Sequence, residues 1–312
     1  MKSSVVTVTL NPAIDKTVVV EKLNVGGLNR VQSVRMDPGG KGINVAKVLN
    51  QFGVRVTAAG LIAGTQGQNL LNYLSLEKIA ASFLPIAGET RTNLKIVDNS
   101  SNCTTEINEA GFVVGYTEID RFKTQLSELL NDAAYLVLSG SLPPGVGTGI
   151  YRELVELAKG KGVKTILDAD DAALLEGIQA APFAIKPNIH ELEKLAGIEL
   201  ADDREVIRAA RTILAQGIEL IIVSMGSQGA IIMDKTATYR VRTEPIVPQS
   251  TVGAGDSMVA VLAYSLLNRY SLEETAQWVT AAGTVTASKP GTQVCSLAEV
   301  RQFIDKVKIN RL

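Results

Sequence analysis

The segment TVGAGDS at residues 251–257 is the most informative part of this sequence. It follows a polar turn and precedes an apolar run with helical spacing that contains Met258, Val259, Val261, Leu262 and Leu266. Small residues at a helix start leave consecutive backbone N–H groups open to an anion, which the helix dipole also attracts. Asp256 in such a place would repel a phosphate, unless it takes a proton from a hydroxyl that attacks that phosphate. The alternative is that Asp256 only caps the helix or complements its dipole.

The rest of the chain alternates short apolar runs with segments of helical periodicity. Strands are predicted at residues 4–10, 56–63, 135–138, 163–167, 183–185 and 220–223, and helices at 42–52, 69–78, 117–130, 151–159 and 205–216. This alternation indicates βαβ units, and therefore an α/β fold with a mostly parallel central sheet flanked by helices. We expect a single domain over residues 1–312.

Two regions break the alternation, at about residues 12–37 and 88–110. They carry predicted strands at 17–20, 31–36 and 92–97 without crossover helices between them. Such strands predict a small β-sheet apart from the main layer, which would act as a discontinuous lid. The alternative is that they extend the edge of the main sheet.

Composition excludes several function classes. The 31 Lys and Arg residues against 32 Asp and Glu give a net charge of -1, which argues against nucleic acid as a partner. One histidine, His190, and two cysteines exclude His-rich zinc sites, and they exclude Ser-His-Asp hydrolysis unless His190 serves alone. The two cysteines provide no disulfide framework, which favours a cytoplasmic location. The apolar runs are too short for export or for a membrane span, so we expect no membrane partner.

Further glycine-rich segments follow predicted strands or precede predicted helices: GGKGIN at 39–44, SGSLPPG at 139–145 and SMGSQG at 224–229. None has the spacing of a Walker A loop or of the dinucleotide fingerprint. KPNIHE at 186–191 has a capping-box spacing in Asn188 and Glu191, or else holds a lysine and a carboxylate for phosphates and Mg²⁺. SMGSQG is either a turn or a nucleotide contact, and each glycine-rich helix start is either structural or binding.

The order of these motifs resembles that of the ribokinase-type (PfkB) carbohydrate kinases. GGKGxN at 39–44 and TVGAGDS at 251–257 resemble the two signatures of that family, and TLNPAxD at 9–15, SGSLP at 139–143, KPNxxE at 186–191 and VSxG at 223–226 also match. The resemblance implies a ribokinase-like fold. It also implies that ATP, with Mg²⁺, phosphorylates a hydroxyl of a ketose phosphate.

The resemblance also implies roles for individual residues. Asp256 would be the base, with an anion hole at Gly253, Ala254 and Gly255. The sugar phosphate would be held by Asp15, Gly39, Gly40, Lys41, Asn44 and Arg91, with Gly140 nearby. The nucleotide side would be lined by Lys186, Asn188, Glu191, Ser224, Gly226 and Gly229, with Glu191 acting on Mg²⁺ through water.

Subgroup features favour one substrate. GGLNR at 26–30, GINV at 42–45 and TEIN at 105–108 most resemble the family members that convert fructose 1-phosphate to fructose 1,6-bisphosphate. Tagatose 6-phosphate and fructose 6-phosphate are the alternatives. A sugar- or nucleotide-binding regulator on the same fold is the non-enzymatic alternative, and the missing fingerprint disfavours a dinucleotide oxidoreductase. We also expect a homodimer through the lid.

Overall fold

The computed structural model describes residues 3–101 and 103–312. Its strands are β1 (Ser4–Thr9), β2 (Ala13–Val20), β3 (Val31–Gly39), β4 (Val56–Ala63), β5 (Ala80–Ile86), β6 (Arg91–Asp98), β7 (Cys103–Asn108), β8 (Ala133–Ser139), β9 (Lys164–Asp168), β10 (Ala184–Ile185), β11 (Leu220–Ser224), β12 (Ala230–Asp234), β13 (Thr238–Thr243) and β14 (Val307–Arg311). Its helices are α1 (Lys41–Gln51), α2 (Gly64–Leu76), α3 (Tyr116–Leu129), α4 (Ile150–Gly160), α5 (Asp171–Ile178), α6 (Ile189–Ala196), α7 (Asp203–Leu214), α8 (Ala254–Leu267), α9 (Leu272–Ala287) and α10 (Leu297–Phe303).

The main sheet has the strand order β14-β13-β12-β11-β10-β9-β8-β1-β4-β5. Pairing is parallel from β5 through β11 and antiparallel from β11 to β14. Alternate residues of β1 enter different apolar cores, with Val5 packed in the core that includes α1 and α8 and Val6 in the core that includes α3 and α4. Because successive side chains of a strand point to opposite faces, helices cover both faces of the sheet. The predicted fold class is confirmed.

The second sheet has the strand order β3-β2-β6-β7 and, over residues 3–101 and 103–312, shares no strand with the main sheet. Its strands come from the two regions that lack crossover helices, so the prediction of a separate small sheet is confirmed and the edge-extension alternative is wrong. Asp15 on β2 lies opposite Asn93 on β6, which lies opposite Asn108 on β7. The division into one domain with a lid stays a prediction.

The sequence missed three edge strands, β5 and β14 of the main sheet and β7 of the small sheet. Pro85 lies inside β5, and proline in an apolar run argues against a strand unless that strand is at an edge. In β14 charged and polar residues outnumber apolar ones, so the run lacked an apolar signal. The second helix begins at Gly64, earlier than predicted. Among the described residues, no helix is long and apolar enough to cross a membrane.

Candidate active site

A cavity of about 590 Å³ lies between the two sheets and the start of α8. Its walls come from the ends of β1, β8 and β9, from the small sheet, and from the N-termini of α1, α6 and α8. Ligands of open α/β sheets bind at the carboxyl ends of the parallel strands, where this cavity lies. The predicted site residues that line it are Asp15, Gly40, Lys41, Asn44, Arg91, Gly140, Lys186, Asn188, Glu191, Gly253, Gly255 and Asp256.

Asp256 lies buried in the first turn of α8. Gly253 caps this helix with φ 78°, a left-handed conformation that glycine adopts without strain. Asn44 Nδ2 donates a hydrogen bond of 2.8 Å to Asp256 Oδ2, which joins the two glycine-rich signature segments across the site. Burial and the nearby Asp168 charge raise the pKa of Asp256 to about 6, against the opposing effect of the Asn44 hydrogen bond. The carboxylate is therefore ionised at neutral pH and close to the pKa that suits a general base.

Two lysines and two aspartates form a cluster beside α8. Lys186 Nζ lies 3.1 Å from Asp168 Oδ1. Lys41 Nζ lies 2.5 Å from Asp170 Oδ1 and 3.9 Å from Asp168 Oδ1. Burial alone would lower the pKa of Lys41, but the two carboxylates raise it above its ordinary value. The Lys41 ammonium group therefore stays charged. Lys41 shares Asp168 with Lys186, which was expected on the nucleotide side.

The Lys186 ammonium group also lies close to the glycine-rich N-terminus of α8. A Cβ added at Gly255 would lie only 3.3 Å from Lys186 Nζ. A positive charge thus adjoins the backbone N–H groups at the N-terminus of α8, and the two features together favour an anion at this end of the cavity.

The small sheet holds Asp15 over the opposite wall of the cavity. Asp15 Oδ1 accepts a hydrogen bond from Asn93 Nδ2 at 3.1 Å, and Asp15 Oδ2 pairs with Lys95 Nζ at 3.1 Å. A Cβ added at Gly39 would lie 2.8 Å from Asp15 Oδ1, so glycine leaves the room that this carboxylate occupies. Gly39 is not among the described residues that line the cavity, and it contributes to the site by leaving space for Asp15.

Arg91 begins β6, where the small sheet meets the main one. Its Nη2 donates to the Asn11 carbonyl at 3.1 Å and to Ser141 Oγ at 3.3 Å, and its Nη1 donates to the Glu109 carbonyl at 3.1 Å. Burial lowers the pKa of Arg91, although the Asp15 and Glu109 carboxylates oppose that effect. These contacts, two to backbone carbonyls and one to a side-chain hydroxyl, fix the guanidinium group in the lining of the cavity.

Asn188 and Glu191 form a capping box on α6, and they also line the cavity. Glu191 Oε2 accepts from the Asn188 backbone N–H at 2.7 Å, while Asn188 Oδ1 accepts from the Glu191 N–H at 2.9 Å. Burial is the main cause that raises the pKa of Glu191. Both interpretations of this motif are therefore compatible, because a cap fixes the carboxylate that faces the cavity.

Other predicted residues lie beside the cavity or farther away. Ala254 follows the capping residue of α8, and Ser224 pairs with Asn188 as an isolated bridge. Gly226 and Gly229 belong to the turn between β11 and β12, outside the described cavity lining. His190 is exposed on α6. The structure thus brings most, but not all, of the expected residues together.

The cavity lining also contains polar residues to which the sequence analysis gave no individual role: Thr9, Asn11, Asn93, Lys95, Glu106, Asn108, Ser141, Asp168, Asp170 and Thr251. Asp168 could have been found, because it ends a strand whose carboxyl end lies at the ligand-binding edge. Asn93 and Lys95 could have been found from their alternation with Arg91 along one face of β6.

Comparison with known proteins decides the family. A model of the pfkB family carbohydrate kinases matches residues 3–299. The chain belongs to this family. It is a sugar kinase, a phosphotransferase, and the resemblance on which the sequence analysis relied is confirmed.

Named relatives agree with this assignment. A 1-phosphofructokinase of Xanthomonas campestris pv. campestris is 39% identical over 287 residues, which cover 90% of each chain. Phosphofructokinase-2 of Escherichia coli, solved with potassium, superposes with a TM-score of 0.93 at 31% identity over 97% of this chain and 98% of that one. A Thermotoga maritima protein described as a possible 1-phosphofructokinase gives a TM-score of 0.91 at 28% identity over 99% of both chains.

Proposed function

We propose that this kinase transfers the γ-phosphoryl group of ATP to the C6 hydroxyl of fructose 1-phosphate, giving fructose 1,6-bisphosphate. The observation that carries the proposal is the position of buried Asp256 at the start of α8, beside the Lys41 and Lys186 ammonium groups. The name of the Xanthomonas relative supports this choice of substrate. Tagatose 6-phosphate and fructose 6-phosphate are the alternatives.

In the proposed reaction Asp256 accepts the proton of the C6 hydroxyl, whose oxygen bonds to the γ-phosphorus while the bond to the β-phosphate oxygen breaks. Phosphoryl transfer depends mainly on positioning and on stabilisation of charge. The backbone N–H groups of Gly253, Gly255 and Asp256 and the two lysines would stabilise the transferred group, whereas the Ala254 N–H donates to the Thr251 carbonyl. Asn44 orients Asp256 through the 2.8 Å hydrogen bond.

The donor set suits Mg²⁺ bound mainly by phosphates and water. Among the described residues, no group of three or more His, Cys, Asp or Glu side chains is placed to hold a metal ion. Mg²⁺ commonly uses one or two carboxylates together with substrate phosphates and waters. Glu191 fits that role through water, since its Oε2 is fixed by the helix cap. When bound, the ion would neutralise phosphate charge.

Initial rates of ADP release with the three ketose phosphates, under identical ATP, test the proposal. We expect the highest kcat/KM with fructose 1-phosphate. A higher value with tagatose 6-phosphate or fructose 6-phosphate would reject the substrate but retain the kinase. Absence of ADP release with all three, together with tight sugar-phosphate binding, would favour the non-enzymatic regulator.

The pH profile should reflect the environment of Asp256. Because its pKa is raised to about 6 and the base must be unprotonated, kcat/KM should be constant above that pH and fall as the pH drops below it. The slope should approach roughly tenfold per pH unit, as for a single essential base. Steady-state rates between pH 5 and 8 would measure this. An activity that is unchanged down to pH 5 would contradict the assignment.

Arg91 should act on the sugar side. Arg91→Ala is expected to raise the KM for the sugar phosphate by roughly 10- to 100-fold, because a charge-assisted contact to phosphate is lost. The KM for ATP should change much less. Arg208→Ala, which removes an exposed arginine of α7, is the matched control. A larger effect on ATP than on the sugar phosphate would place Arg91 on the other side.

We also propose that the small sheet is a lid through which two chains form a dimer. The sheet face turned away from Asp15 exposes Val34, Met36 and Ile107 by 50–55%. A second chain would cover this apolar face and shield the free strand edges. Sedimentation should show a dimer at micromolar concentration, and Val34→Glu should shift it toward monomer. A fully active wild-type monomer would contradict the proposal.

We propose a cytoplasmic location as well, because the two cysteines, Cys103 and Cys295, are free thiols that fit a reducing compartment.

A further inference from the structure

Lys95 is a buried cation of the small sheet that faces the cavity. It is only 8% exposed, and its Nζ lies 3.1 Å from Asp15 Oδ2. Arg91, Asn93 and Lys95 occupy alternate positions of β6, so their side chains lie on one face of the sheet. All three line the cavity. A row of polar groups thus extends along the lid above the region expected to hold the sugar.

The carboxylates that line the cavity make a cation on the lid necessary for the binding of a phosphate. Among the described residues that line the cavity, the cations are Lys41, Arg91, Lys95 and Lys186, and the carboxylates are Asp15, Glu106, Asp168, Asp170, Glu191 and Asp256. An anionic substrate therefore meets more carboxylates than cations. On the lid side, the charges of Arg91 and Lys95 only balance those of Asp15 and Glu106. Without Lys95 this side would carry a net negative charge and would repel a phosphate that itself carries nearly two negative charges near neutral pH.

Lys41 does not supply the positive charge that Lys95 supplies on the lid side. Lys41 Nζ lies 2.5 Å from Asp170 and shares Asp168 with Lys186, at the end of the cavity next to Asp256. Its charge therefore serves the transferred phosphoryl group. The phosphate already present on the sugar must lie away from Asp256, because Asp256 has to meet the acceptor hydroxyl at the other end of the substrate.

We propose that Lys95, together with Arg91, binds the phosphate group already present on the sugar, and so selects phosphosugars over free sugars. The inference rests on the proposed function. An ammonium group has three N–H donors, so one can remain on Asp15 while the others bind phosphate oxygens. The ion pair with Asp15 holds the ammonium group in place before the substrate arrives, which lowers the cost of ordering it.

Calorimetric binding of the ketose phosphate without nucleotide tests the proposal. Lys95→Met should weaken binding by roughly 10- to 100-fold, Lys95→Arg should retain most of it, and the KM for ATP should stay within about threefold of wild type. Lys16→Met is the matched control, because Lys16 is paired with Leu94 on the opposite face of the same sheet. It should bind like wild type.

A double-mutant cycle separates phosphate binding from an effect through Asp15. The Asp15→Asn/Lys95→Met protein leaves no unpaired buried charge at this pair, so it guards against misfolding of the single variant. If Lys95 binds the phosphate, Lys95→Met should still weaken binding at least about tenfold in the Asp15→Asn background. An effect that disappears in that background would overturn the inference and leave Lys95 as a support for Asp15.

Inorganic phosphate provides a second probe. It should compete with the sugar phosphate in wild type, and its inhibition constant should rise in Lys95→Met by a similar factor. Unchanged inhibition would also overturn the inference. The proposed substrate is tested separately, because the same cycle can be run with whichever of the three ketose phosphates binds. A preference for tagatose 6-phosphate would reject the proposed function and leave the assignment of Lys95 intact.

Discussion

Asp256→Asn should lower kcat by roughly 10²–10⁴-fold, because it removes the group proposed to take the hydroxyl proton. Asparagine keeps the shape of the side chain and can still accept the Asn44 hydrogen bond through its oxygen. The fold and the affinity for ATP should therefore be nearly unchanged. Steady-state kinetics and a nucleotide-binding titration measure the two effects.

The matched control is Asp120→Asn, because Asp120 is an exposed residue of α3 outside the described cavity lining. It should have wild-type kinetics. Near wild-type turnover of Asp256→Asn would remove Asp256 from the role of base. A large loss of ATP affinity with an unchanged kcat would instead make it a binding residue.

Asp168→Asn should have the second largest effect, on both stability and activity. Asp168 is 2% exposed and pairs with buried Lys186 while also lying near Lys41. Removing one partner of a buried ion pair leaves the other charge uncompensated and costs about 3–5 kcal/mol of unfolding free energy. Denaturant unfolding should show this loss, and kcat should fall because Lys186 loses its anchor.

The same variant provides a specific kinetic signature. The Asp168 charge raises the pKa of Asp256, so its removal should move the acid limb of the kcat/KM profile to lower pH. A substrate phosphate also titrates near pH 6, but its pKa does not depend on this substitution. The control is Asp171→Asn, which breaks an exposed ion pair with Lys194 and should leave both stability and the acid limb unchanged. An acid limb that stays in place in Asp168→Asn would show that Asp256 does not set it.

The sequence predicted the main sheet, the separate small sheet and most of the cavity because these features depend on local patterns. Glycine-rich turns, apolar runs and helix starts are each contained within about ten consecutive residues, a length at which periodicity is readable. The order of the motifs then identified the family. Strand β5 was not predicted because Pro85 interrupts its apolar run. The strand forms because it lies at an edge of the sheet, where a missing N–H donor is tolerated.

The partners of single charged residues could not be predicted in the same way. The role of Asp168 depends on its pairing with Lys186 and Lys41. The role of Lys95 depends on its pairing with Asp15, which is 80 residues away in the sequence. An isolated aspartate or lysine in a sequence is usually a solvated surface group. Only the register of β2 with β6 reveals that Lys95 is on the same face as Asp15. The pairing of strands that are distant in the sequence therefore determines which charged residues face each other, and local sequence patterns do not show this.

The strand order has a consequence for synthesis of the chain on the ribosome. β1 lies inside the main sheet, and β8 through β14 are added to one side of it in the order in which they are translated. Each of these strands can therefore dock onto an edge that is already present, as N-terminal regions fold first. Asn44 is synthesised early, but the Asp256 carboxylate to which it donates a hydrogen bond is synthesised 212 residues later. Nascent chains that end before α8 would form much of the sheet and yet have no activity.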